Sequence, residues 1–100
     1  MENTFLCKVE KVPQMRPLKV MKDGRGILVC EEAGEIYAFD EACPHKGLSM
    51  EHGVVLQGML VCPWHQYKFD LETGRCRRRR CAPATPIAIE IRDDEVHIAE

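Results

Sequence analysis

Residues 43–65 read CPHKGLSMEHGVVLQGMLVCPWH, and the runs at either end, Cys43-Pro44-His45 and Cys62-Pro63-Trp64-His65, are built alike. Each supplies one thiol and one imidazole. Each also sets a proline directly after its cysteine, where the ring fixes φ and stiffens the loop. Sixteen residues, Lys46 to Val61, separate the two runs. Two thiolates and two imidazoles close together ask for a soft or borderline metal centre and not for magnesium or calcium.

Outward from this stretch the chain reads as short strands. Thr4 to Glu10 alternates, with Phe5, Cys7 and Val9 on one face, and is expected to be a first strand ending near Pro13. The pair Asp23-Gly24 is a strong hairpin signal between the run from Leu18 and the apolar run Ile27 to Cys30. After Glu31-Glu32-Ala33-Gly34 comes Glu35 to Phe39, in which Ile36 and Ala38 should face opposite to Tyr37 and Phe39. The first Cys/His run leaves this meander through Asp40-Glu41-Ala42. Between the runs, Leu48 to Gly53 is polar and punctuated by glycine, and Val54-Val55-Leu56 and Met59-Leu60-Val61 read as strands joined at Gln57-Gly58. Tyr67 to Asp70 is a further short strand, Glu72-Thr73-Gly74 a turn, and Ile87 to Ile98 a closing hairpin turned at Asp93-Asp94. No stretch of ten or more residues has a helical period, so the fold class is all-β.

Composition narrows the function. The chain of 100 residues is the size of one domain, residues 1–100. Lys plus Arg (14) is outnumbered by Asp plus Glu (16), giving a net charge of -2, which speaks against nucleic acid. The N-terminus carries no secretory signal pattern and no apolar run is long enough for a membrane span, so a cytoplasmic protein is expected; a monomer is expected as well, though not from these absences. Six cysteines in such a chain point to metal or redox chemistry before a disulfide framework.

The C-P-H and C-P-W-H runs, the lead-in EIYAFDEACPH, the segment VCPWHQYKFDL and the LETG turn resemble Rieske-type iron-sulfur proteins. The resemblance covers residues 27 to 98 and arguably the whole chain. It implies a small antiparallel β-sandwich or barrel in which two loops at one tip clasp one [2Fe-2S] cluster. Carried over residue by residue, Cys43 and Cys62 would hold one iron through sulfur, and His45 and His65 the other through nitrogen. Two ferric ions, two sulfides and two thiolates cancel in charge, and neutral imidazoles in place of two further thiolates raise the potential above that of an all-cysteine cluster.

In the membrane-associated respiratory branch each loop carries an additional cysteine, and these form a disulfide across the loops. CPHKGL and CPWHQY contain none. The chain therefore resembles the soluble branch, a ferredoxin that takes one electron from a flavin-dependent reductase and passes it to a terminal oxygenase without itself being an enzyme. A small Rieske-like subunit of a larger reductase, such as nitrite reductase, is the alternative. Gln66 departs from the glycine many relatives have after the second histidine.

Other residues have plainer readings. A structural zinc site is disfavoured because each run mixes cysteine with histidine, and C-x-H is tight for one tetrahedral metal. His52 and His97 read as surface or half-buried residues at strand ends. Cys7 and Cys30 read as core, and Trp64 as a shield or contact residue beside the site. Cys76 and Cys81 bracket four arginines in RCRRRRC. They are expected to be free thiols, and the run a solvated edge strand or a docking patch for an acidic partner.

Overall fold

Two-residue turns fold the chain onto itself at Asp23-Gly24, Ala33-Gly34, Gln57-Gly58 and Asp93-Asp94. Each has positive φ at both positions, from 50° at Asp93 to 83° at Gly34. That is the requirement of a type I′ turn, whose twist matches that of the strands it joins. The computed structural model describes residues 4–43, 49–63, 67–77 and 82–99. Its strands are β1 (Phe5–Lys8), β2 (Leu18–Lys22), β3 (Arg25–Glu32), β4 (Glu35–Asp40), β5 (Val54–Leu56), β6 (Met59–Val61), β7 (Lys68–Asp70), β8 (Ile89–Arg92) and β9 (Glu95–Ile98).

Among the described residues the strands form three antiparallel sheets, ordered β1-β9-β8, β2-β3-β4 and β5-β6-β7. The middle sheet is the shared wall. On β3, Ile27 and Val29 enter one apolar cluster with Leu6, Ala38 and Val96, whereas Leu28 and Cys30 enter a second with Phe39, Leu60 and Phe69. β4 divides the same way, with Ile36 and Ala38 in the first cluster and Tyr37 and Phe39 in the second, as strand alternation requires. Burial on both faces explains why Ile27 to Cys30 is continuously apolar in sequence. The outer edge of β4 is covered by the returning chain: Asp40 N–H donates to Thr85 O at 2.9 Å, and Ile87 N–H to Ala38 O at 2.8 Å.

Two expectations change. The first strand stops at Lys8 and passes into a 3-10 turn, Val9–Lys11, because Val9 N–H is taken by Asp94 O and its carbonyl by Val12 N–H. A register shift between Phe5 and Cys7 also breaks the expected alternation, so Leu6 and Cys7 are both buried and Phe5 meets the ring of His97 edge-on. Met50, in a stretch that reads as polar loop, is fully buried in the second cluster.

Candidate metal centre

The second apolar cluster lies under two loops, each closed at its base by main-chain hydrogen bonds. Loop one leaves β4. It is pinched where Ala42 bridges Ser49 and where Met50 N–H donates to Glu41 O at 2.9 Å. Loop two continues the β6–β7 hairpin, in which Val61 pairs with Lys68, and is closed by Cys62 N–H donating to Tyr67 O at 2.7 Å. Cys43 and Cys62 therefore occupy equivalent places at the feet of the two loops. Neither is in a disulfide, their exposures are 1% and 0%, and both belong to the cluster containing Met50, Leu60 and Phe69.

The loops are also tied to one another. Gly53, on the return arm of loop one, donates its N–H to Met50 O at 2.9 Å and packs on the Val61 carbonyl, the residue before Cys62. A Cβ at this position would collide with that carbonyl, so only glycine allows the close approach. Glu32 reaches from the end of β3 to accept the Gly58 N–H in the β5–β6 turn, fastening the middle sheet to the loop-bearing one.

Charged groups gather beside loop one. Lys19 Nζ lies 2.9 Å from Glu41 Oε2 and 3.7 Å from Glu51 Oε1. The Ser49 hydroxyl and the Lys19 ammonium hold the Glu41 carboxyl below its ordinary pKa, and the bond to Glu41 raises that of Lys19. Arg25 Nε donates to Asp40 Oδ1 at 2.8 Å a little earlier in the chain. Sequence reading missed this group. Glu41 stood only as part of an acidic lead-in, and nothing local links it to a lysine in β2.

Of the four expected ligands, Cys43 and Cys62 are brought into one cluster, while His45 and His65 lie outside the described residues, as do Pro44, Lys46, Gly47, Trp64 and Gln66. No three His, Cys, Asp or Glu side chains among the described residues stand close enough to hold a metal ion. Cys7 and Cys30 are buried free thiols, and burial raises the pKa of both. His52 is exposed. His97 is half-buried, 3.0 Å from Thr4 Oγ1 and 3.1 Å from Glu95 Oε1.

Cys76 corrects the expectation of a free thiol: it is disulfide-bonded. Cys81 lies outside the described residues, with Arg78 to Arg80. On the described flanks, Cys76 bridges Phe69 of β7, Arg77 N–H donates to Lys68 O at 2.8 Å, and Ala84 N–H donates to Gly74 O at 2.8 Å.

Two buried cysteines at matched positions, one per loop and neither in a disulfide, fit an iron-sulfur group, whose irons take thiolate sulfur. Comparison with known proteins agrees with this class. Residues 2–91 match the Rieske [2Fe-2S] domain. The chain belongs to that family, whose members bind one [2Fe-2S] cluster. It is 36% identical over 86 residues to the ferredoxin component of the naphthalene 1,2-dioxygenase system of Pseudomonas aeruginosa, covering 80% of each chain. It is 34% identical over 94 residues to the biphenyl dioxygenase ferredoxin subunit of Pseudomonas sp. (strain KKS102), covering 90% of this chain and 86% of that one. Among solved structures, a Sphingomonas yanoikuyae B1 ferredoxin superposes with a TM-score of 0.88 at 27% identity, over 98% of this chain and 99% of that one.

Proposed function

We propose that this protein is the ferredoxin of an oxygenase system, passing single electrons from a flavin-dependent reductase to a terminal oxygenase. The observation that carries the reading is the pair of buried cysteines, Cys43 and Cys62, at the feet of two pinched loops on one core. The near full-length likeness to dioxygenase ferredoxins supports it. Cys43 and Cys62 would hold one iron, and His45 and His65 the other. The cluster supplies one-electron exchange when bound. The chain would hold it against the second apolar cluster and keep water from the two sulfurs by burying them.

The protein is a carrier and not itself an enzyme, and residues 1–100 act as one domain. It works as a monomer in the cytoplasm, meeting its partners weakly and transiently, as redox interfaces do. No helix among the described residues is long and apolar enough to cross a membrane. A small subunit of a larger reductase would instead co-purify in a stable stoichiometric complex.

Electron paramagnetic resonance of the dithionite-treated protein tests the ligand set. An anisotropic signal with a low average g value is expected, together with re-oxidation by an oxygenase component. Stoichiometric zinc with a silent spectrum would overturn the reading.

A further inference from the structure

We propose that Glu41 is the positioning residue of loop one: clasped by Lys19 and Ser49, it fixes both arms of the loop that carries Cys43 and so sets how firmly the cluster is retained. This rests on the reading of Cys43 as a ligand.

The clasp crosses three parts of the fold. Lys19, in β2, reaches Glu41 at 2.9 Å on the outgoing arm and Glu51 at 3.7 Å on the return arm. The Ser49 hydroxyl donates to the Glu41 carboxylate and accepts the Glu51 N–H at 3.1 Å. The main chain of Glu41 is engaged at both ends, its N–H donating to Gly26 O at 3.0 Å and its carbonyl accepting Met50 N–H at 2.9 Å. Its side chain lies over Gly26, where a Cβ would collide with the carboxylate. Main chain and side chain are thus fixed together, two residues before Cys43.

An ordinary surface ion pair would contribute little. This one differs because it joins the two arms of a ligand loop and its carboxylate is shared with a hydroxyl on the return arm. Residues that orient metal ligands without touching the metal typically change metal retention by about 10- to 100-fold when removed. The neighbouring pair Arg25–Asp40, at 2.8 Å and more exposed, joins β3 to β4 and reaches neither Ser49 nor Glu51, so it serves as the control.

The test uses cluster-loaded protein and follows the loss of visible absorbance in the presence of an iron chelator, with hydrogen exchange of single amides. Glu41→Ala is expected to lose its cluster about 10-fold faster than wild type. Lys19→Met moves in the same direction, and the double variant is no faster than Glu41→Ala, because both act through one clasp. Glu41→Gln, which can still accept from Ser49 but carries no charge, falls between. Arg25→Met behaves as wild type. Exchange at Met50 N–H speeds up in Glu41→Ala, while that at Cys62 N–H, at the base of loop two, does not; general loosening of the fold would move both. The proposal is overturned if Glu41→Ala keeps the wild-type rates, if Arg25→Met bleaches equally fast, or if both amides speed up together. A wild-type protein without iron would sink the ligand reading and this inference with it, whereas a loaded wild type with an indifferent Glu41→Ala sinks this inference alone.

Discussion

Cys30 illustrates how one side chain's surroundings decide its chemistry. It is fully buried, and desolvation pushes its thiol from 9.0 up to about 12. The thiol therefore stays protonated in the fold at a pH where the unfolded chain ionises it. Its contribution to stability is complete below about pH 9 and is lost as pH rises toward 12, at a slope of up to about 1.4 kcal/mol per pH unit. Urea titrations of wild type and Cys30→Ala at neutral and at alkaline pH should show the wild type losing the larger share of its stability. At neutral pH, iodoacetamide should leave Cys30 unlabelled until the protein unfolds. Gly53 makes a steric prediction. Gly53→Ala forces a methyl against the Val61 carbonyl, and overpacking of this kind costs about 1–3 kcal/mol. Because that carbonyl precedes Cys62, iron content should fall together with the urea midpoint.

Turns and pinches show how elements hold the loops. Ala33 sits at φ 54°, a left-handed conformation that its Cβ resists. Ala33→Gly should raise stability by up to about 1 kcal/mol, since relief of a left-handed residue, worth about 1–2 kcal/mol, is partly offset by the flexibility glycine adds to the unfolded chain. Thermal unfolding would measure it. Glu32 links two sheets by one charge-assisted bond to the Gly58 turn. Glu32→Ala should cost about 1.5–3 kcal/mol if the bond is as strong as others to charged groups. Denaturant unfolding against a Glu31→Ala control would measure it. Both hairpins were legible in sequence because their turn residues are local signals, but the bond from Glu32 was not, since its partner lies 26 positions away.

For the molecule as an electron carrier, charge away from the cluster bears on encounter. Arg75 and Arg77 are exposed, and Arg77 lies 3.5 Å from Asp70. Neutralising Arg75 and Arg77 to Arg80 together should slow electron delivery to an acidic partner at low salt and flatten its salt dependence, because steering of exposed charges is screened within roughly 10 Å at 0.1 M salt. Stopped-flow rates over a salt series would test this, and an unchanged slope would remove the arginines from the docking surface.

The motif from Cys43 to His65, the all-β class and most strand positions were determined by the sequence itself, because metal-ligand spacing, two-residue turns and alternation are written in neighbouring residues. The division of Ile36 and Ala38 from Tyr37 and Phe39 was equally legible, although not that both faces would be buried. Only the tertiary structure decided the rest. Met50 turns inward because its N–H is held by Glu41 O, and Cys76 is disulfide-bonded. Lys19 becomes part of the loop's support because β2 lies beside it. Each of these depends on residues distant in the chain meeting in space, and no local pattern encodes such a meeting.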